Sequence, residues 1–135
     1  MIKYHPFSLK QLNMFTVTIK SRFSSAHQLR GYDGMCERMH GHNWTVDATV
    51  SGDQLNEIGI LVDFIVLQKV VDDQLKPLDH INLNEHPWFL EENATSENLA
   101  KHVYHDLQKA LEKYPVTLKD ITVWETEDYK ATYTE

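Results

Sequence analysis

The sequence predicts an α+β domain, and three observations predict it. Segments of period-two hydrophobicity stand at both ends of residues 15–135, two segments of helical period lie between them, and turn residues separate the pieces. Residues 1–14 show no clear period and read as an N-terminal extension, leaving 15–135 as a single domain. From Phe15 the alternation begins: Phe15, Val17 and Ile19 against Thr16, Thr18 and Lys20, continuing through Phe23 to His27. That is a half-buried strand. Gly31, Asp33 and Gly34 mark a loop. Trp44, Val46, Ala48 and Val50 then alternate with Thr45, Asp47 and Thr49, giving a second strand that Ser51-Gly52-Asp53 closes. Gly59-Ile60-Leu61-Val62 reads as a third short strand and a hairpin partner.

Asp63 is placed to cap a helix. Its apolar positions Phe64, Leu67, Val71 and Leu75 recur at helical spacing until Pro77 ends it. Residues 80–94, with Pro87 and several Asn, read as a loop. Thr95 or Ser96 caps a second helix, Glu97 lies in its first turn, and Leu99, Val103 and Leu107 mark its buried face before Pro115. Ile121 and Val123 begin a further strand, and Lys130 to Tyr133 extend the pairing. The expected order is β-β-β-α-α-β.

Composition narrows the function. The net charge of −7, from 13 Lys+Arg against 20 Asp+Glu, and the lack of a basic run argue against nucleic acid as a partner. No apolar run approaches the roughly 20 residues that span a bilayer. Without a signal-peptide pattern, a cytoplasmic location is the expectation, and the single cysteine, Cys36, suits a reducing compartment.

Eight histidines are many for 135 residues, and the richest stretch is Cys36-Glu37-Arg38-Met39-His40-Gly41-His42-Asn43-Trp44. His40 and His42 stand two apart at the start of a strand, so both rings point to one face. If the first two strands pair antiparallel, His27, at the end of one, reaches the start of the other. Three convergent imidazoles with no thiolate pair and no fourth protein ligand nearby form the pattern of a catalytic zinc site, which keeps one position open. Cys36 admits two readings. A free cysteine is commonly a small buried hydrophobe; beside Arg38 a thiolate is favoured, as nucleophile or base.

The chain resembles the 6-pyruvoyltetrahydropterin synthase / 6-carboxytetrahydropterin synthase family. The resemblance is carried, in order, by Phe23-Ser24-Ser25-Ala26-His27, Cys36 to Asn43, Val62-Asp63-Phe64, Leu78-Asp79-His80 with Leu83-Asn84, Thr95-Ser96-Glu97-Asn98-Leu99-Ala100, and Val123-Trp124-Glu125-Thr126. It implies the tunnelling fold: a four-stranded antiparallel sheet with two helices on one face. Subunits close into a trimeric β-barrel, and two trimers stack into a hexamer. It also implies His27, His40 and His42 as zinc ligands, Cys36 as catalytic cysteine, and Asp79 and His80 as a relay contributed from a neighbouring subunit. Glu125 matches the carboxylate that anchors the pterin, and Thr95, Ser96 and Glu97 match a pterin-binding segment.

The implied activity is a zinc-dependent conversion of 7,8-dihydroneopterin triphosphate to 6-carboxy-5,6,7,8-tetrahydropterin, acetaldehyde and triphosphate, on the route to queuosine. Arg22, Arg30 and Arg38 are candidate partners for the triphosphate. Glu37, next to Cys36, raises two alternatives: side-chain cleavage to 6-hydroxymethyl-7,8-dihydropterin for folate synthesis, or both activities in one protein. Formation of 6-pyruvoyltetrahydropterin is a further alternative. Two other classes compete: a zinc hydrolase, which lacks a helix-borne carboxylate base beside the histidines, and a pterin- or purine-binding module, which leaves Cys36 and His80 without a task.

Overall fold

β-Branched and aromatic residues alternating with polar ones dictate long strands, and the computed structural model, which describes residues 13–34 and 38–135, contains two of 13 residues each. These are β1 (Phe15–His27) and β2 (His40–Gly52). They pair antiparallel without a break, with Phe15 opposite Gly52 and His27 opposite His40. Helices α1 (Phe64–Leu75) and α2 (Ser96–Ala110) follow, then β3 (Thr117–Trp124) and β4 (Lys130–Thr134). The sheet is antiparallel throughout, in the order β1-β2-β3-β4. The expected four-stranded sheet with two helices is the fold observed. Cys36, Glu37 and residues 1–12 of the extension lie outside the described residues.

One expected element is corrected. Gly59–Val62 is not a strand, so the order is ββααββ and the fourth strand comes from the C-terminal hairpin. Asn56 explains the difference. Its side-chain oxygen accepts from the Ile58 and Ile60 amides, while its own amide donates to the Ile60 carbonyl. Gly59 takes φ 82°, a left-handed conformation that turns the chain back on itself. Leu61 and Val62 are thereby buried as plugs rather than paired. Leu61 fills the space over Gly52, where an added Cβ would lie 2.6 Å from its Cδ1.

The caps are as the residue types require. The Asp63 carboxylate accepts from the amides of Ile65 and Val66, and the Thr95 hydroxyl accepts from that of Asn98. Each is worth about 1 kcal/mol. Pro77 sits in a 3₁₀ turn, Lys76–Leu78, directly after α1. The helices cover one face of the sheet, α1 against β1 and α2 against β3 and β4. On that face Ile19, Phe23, Trp44, Val46, Ala48, Val50, Ile121 and Val123 are buried against Leu67, Val71, Leu75, Leu99, Val103 and Leu107. The opposite face is polar and carries Lys20, Arg22, Thr45 and Trp124.

β1 is an edge strand, whose outward backbone groups need partners. Residues 79–82 supply them at its C-terminal end. The Ser24 amide donates to Asp79 Oδ1, the His80 amide to the Ser24 carbonyl, and the Ala26 amide to the Ile81 carbonyl. The docking holds His80 at φ 56°, a conformation few side-chain-bearing residues adopt.

Candidate metal centre

The alternation that buries Ile19 and Phe23 continues along β1 to Ser25 and His27 on the same face, so His27 ends inside the protein with 1% exposure. Cross-strand pairing places His40 opposite His27 and His42 opposite Ser25, and both imidazoles point to that face. The three rings meet edge to face, with centroids 4.5, 4.7 and 5.2 Å apart. Trp44 backs His27 at 5.0 Å and His42 at 5.2 Å, and its indole N–H donates to the Ser25 carbonyl.

Backbone carbonyls fix the ring orientation. His27 Nδ1 donates to the Ala94 carbonyl at 2.7 Å, and His40 Nδ1 to that of Arg38 at 2.7 Å. A carbonyl only accepts, so each ring holds a proton on Nδ1, and a neutral ring so held keeps its lone pair on Nε2. Those two Nε2 atoms face each other at 2.9 Å. Two lone pairs at that separation repel unless a cation or a proton lies between them. Protonation is disfavoured at His27, because burial pushes its pKa below the ordinary 6.5, outweighing the Ala94 hydrogen bond that raises it; the charge of His40 adds to the lowering. Burial lowers His42 as well, against the raising influence of Glu125. Imidazoles whose far nitrogens are held by carbonyls are oriented as metal-binding imidazoles are, with the other ring nitrogen turned to the ion's place.

Glu125, just beyond the end of β3, completes the group. Its Oε1 lies 3.2 Å from His42 Nε2, and the four ligand atoms of His27, His40, His42 and Glu125 all lie within 4.8 Å of one another. Tetrahedral zinc with bonds of about 2.0–2.1 Å has ligand–ligand edges of about 3.3 Å. The short separations, 2.9 and 3.2 Å, lie close to that edge. The residues present therefore fit a single cation. The expectation that no fourth protein ligand stands near the histidines is corrected, since β3 pairs with β2 and carries Glu125 alongside.

The other site residues are distributed as follows. Thr95, Ser96 and Glu97 open α2 directly after Ala94, whose carbonyl holds His27; Ser96 is buried and Glu97 exposed. The Asp79 carboxylate bridges the Ser24 amide and His80 Nδ1, the latter at 2.8 Å, and those two hydrogen bonds, the amide's first, hold its pKa below the ordinary carboxylate value. The His80 side chain is 82% exposed at the rim of β1, and the chain does not bring it into the imidazole cluster. Of the three arginines, Arg30 spends its guanidinium on the carbonyls of Asn84, Phe89 and Glu92. Arg38 is exposed beside His40, and Arg22 lines an open cleft of about 920 Å³ shared with Lys20, Trp124, His42 and Glu125. No described helix is long and apolar enough to cross a membrane. Sequence reasoning missed the two carbonyl anchors and the nearness of Glu125 to the cluster.

Fold and site define an α+β protein that gathers three imidazoles and a carboxylate at one end of an antiparallel sheet. The family model described as 6-pyruvoyl tetrahydropterin synthase matches residues 16–135. A 6-carboxy-5,6,7,8-tetrahydropterin synthase of Bacillus subtilis is 37% identical over 113 residues, covering 80% of this chain and 71% of the relative. A dihydroneopterin monophosphate aldolase of Pyrococcus furiosus is 32% identical over 113 residues, covering 84% of this chain and 91% of the relative. The structure of Caenorhabditis elegans 6-pyruvoyl tetrahydropterin synthase superposes with a TM-score of 0.80 at 27% identity, over 92% of this chain and 97% of that one. The chain belongs to the 6-pyruvoyl tetrahydropterin synthase family, a family of enzymes that act on pterins.

Proposed function

We propose that the chain is a cytoplasmic, zinc-dependent lyase. It converts 7,8-dihydroneopterin triphosphate and water to 6-carboxy-5,6,7,8-tetrahydropterin, acetaldehyde and triphosphate, on the route to queuosine. The observation that carries the reading is the convergence of the three imidazoles, two of them anchored through Nδ1 with Nε2 turned inward, and Glu125 beside them. The relatedness to the Bacillus subtilis synthase supports the choice of product.

His27, His40 and His42 would hold the zinc, which when bound supplies Lewis acidity toward hydroxyls on the substrate's side chain. Glu125 accepts from the paired donors of the pterin, its 2-amino group and adjacent ring N–H. Thr95, Ser96 and Glu97 flank the pterin. Cys36 as thiolate takes a side-chain proton, and His80, oriented by the Asp79 carboxylate, moves a second one. The exposure of His80 at the sheet edge supports its acting on the site of a neighbouring subunit, in a hexamer built of two trimers. Electrons move within the substrate, so no redox cofactor takes part.

Cleavage of dihydroneopterin or its phosphate to 6-hydroxymethyl-7,8-dihydropterin is a second reading, favoured by relatedness to the aldolase and by Glu37 next to Cys36. Mass spectrometry of products from dihydroneopterin triphosphate and from dihydroneopterin monophosphate separates these from the pyruvoyl product. The carboxytetrahydropterin mass is expected, lost in Cys36→Ala with zinc retained. Glu37→Ala is expected to reduce any hydroxymethyl product selectively. Full carboxytetrahydropterin formation by Cys36→Ala would refute the cysteine's role, and a hydroxymethyl product alone would replace the first reading by the second.

A further inference from the structure

We infer that Asn84 and Asn93 are positioning residues for pterin binding. Their side-chain amides stand in for strand residues and set Thr95, Ser96 and Glu97 against the chain that leaves β1. The outward backbone groups of β1 fall on alternate residues, Ser24 and then Ala26. The same alternation carries on past the end of the strand to Gln28 and Arg30. Ala26 still finds backbone, bridging Asn82 in parallel. Beyond it two side chains take over. The Gln28 amide donates to Asn84 Oδ1, and Asn84 Nδ2 donates back to the Gln28 carbonyl, both at 2.8 Å. The Arg30 amide donates to Asn93 Oδ1, and Asn93 Nδ2 to the Arg30 carbonyl, both at 2.9 Å. A primary amide on a short stem offers a donor and an acceptor side by side. A carboxylate lacks the donor, and glutamine sets the pair one methylene further out.

The second amide is joined directly to the proposed pterin segment. Asn93 stands two residues before Thr95, and its carbonyl accepts from Asn98 Nδ2 at 2.9 Å. The Asn98 amide donates in turn to the Thr95 hydroxyl at 3.1 Å. Thr95, Ser96 and Glu97 thus lie inside a turn closed through Asn98, and one two-pronged amide ties that turn to Arg30, three residues after His27. Asn84 holds the start of the same loop, four residues after His80. The Arg30 guanidinium adds donors to the carbonyls of Asn84, Phe89 and Glu92 between them. Both ends of the loop are therefore registered on one short piece of chain. Edge groups that needed only a partner could be met by backbone, as Ala26 is by Ile81. Registration matters because a misplacement of about 1 Å can cost about 100-fold at a binding or reacting group. The inference rests on the proposed reading of residues 95–97 as pterin contacts, and not on which product forms.

The test uses the full-length protein as purified, with 7,8-dihydroneopterin as ligand in isothermal titration calorimetry. Metal content and thermal unfolding by circular dichroism are measured alongside. Asn84→Asp and Asn93→Asp keep shape and acceptor, lose the donor, and set an anionic oxygen against a carbonyl. Each is expected to bind the pterin about 10-fold more weakly, with metal content at the wild-type level. Asn93→Gln keeps both hydrogen-bonding groups but displaces them, and is expected to weaken pterin binding while its Tm stays near that of the wild type. A lowered Tm with unchanged pterin affinity in all three variants would assign the asparagines to stability alone and overturn the inference. Glu97→Gln tests the reading beneath it. Wild-type affinity in that variant would bring down the pterin segment and this inference together. Weakened binding by Glu97→Gln, with wild-type affinity in the asparagine variants, would overturn the inference alone. In the wild type, the Arg30 amide is expected to exchange with deuterium more slowly at saturating pterin. An unchanged rate would overturn the inference whether or not the variants fold.

Discussion

Replacing His27 by alanine separates the two tasks of that ring, and the structure gives a size to each. The imidazole is 1% exposed, lies edge to face with Trp44 at 5.0 Å, and donates at 2.7 Å to the Ala94 carbonyl. Its removal leaves a cavity and a carbonyl without a donor. Together these cost about 2–4 kcal/mol in the metal-free protein. At roughly 3 °C per kcal/mol for a chain of this size, the Tm falls by roughly 6–12 °C. The second task appears when metal is added. With free zinc buffered at about 1,000 times the wild-type Kd, binding stabilises the native state by about 4.1 kcal/mol, a rise of roughly 12 °C. If losing one of three imidazoles weakens binding about 100-fold, the same zinc gives the variant about 1.4 kcal/mol, or roughly 4 °C. Scanning calorimetry of metal-stripped wild type and His27→Ala, each with and without buffered zinc, reads both quantities. Equal zinc-induced rises in the two proteins would refute the assignment of His27 as a ligand, whatever the variant's intrinsic stability.

Acidity acts on the metal-free protein in a fixed direction. Burial holds His27, His42 and His86 below their ordinary 6.5, so near and below that pH the unfolded chain binds more protons than the native one. Stability then rises with pH, is fully present above about 6.5, and is lost as the pH falls from there toward the lower native values. Asp79 and Glu135, whose carboxyls the fold holds low, titrate in stronger acid and leave this window undisturbed. The urea midpoint of stripped protein is expected to drop between about pH 7.5 and about pH 5.5; a midpoint that holds or rises would contradict the burial argument. Subunit mixing tests the shared site. Cys36→Ala and His80→Ala are each expected to be inactive. After denaturation together and refolding, random assortment gives wild-type residues at both positions in roughly a quarter of interface sites, with that share of the activity returning. No recovery from mixed, folded, metal-loaded oligomers would place both residues in one subunit's site.

How much of this was legible in the sequence follows from the range of the interactions involved. His40 and His42 share a face because strand periodicity is two, and that can be read from adjacent residues. His27 joins them because a 13-residue alternation ending in histidine pairs antiparallel with the next one, again a neighbour relation. Asp63 and Thr95 cap their helices as their side chains dictate. The proximity of Glu125 to the cluster was not legible, because it depends on the pairing of Thr45 with Trp124 across the whole helical insertion. The carbonyls of Ala94 and Arg38 carry no residue signature, since any residue offers the same acceptor. Gly59–Val62 read as a strand because Ile60, Leu61 and Val62 have strand propensity. The Asn56 side chain captures the local amides first, and burial of Leu61 over Gly52 satisfies the apolar residues without a ladder.

The metal centre is, in this sense, an extension of the core. The same alternation puts Ile19, Ser21, Phe23, Ser25 and His27 on the face that the helices cover, and puts Trp44 and Val46 opposite Phe23 and Ser21. A slip of one residue between β1 and β2 would turn His27 to the polar face and Phe23 to solvent at once. The apolar burial that fixes the register is worth about 1.5–3 kcal/mol for each large side chain, far more than any one hydrogen bond at the site. The imidazoles therefore need no strong attraction among themselves to converge before metal arrives. Their mutual approach, with lone pairs 2.9 Å apart in the metal-free chain, is imposed by packing further down the strands. A bound cation relieves that opposition, which couples metal affinity to the integrity of a core several residues away.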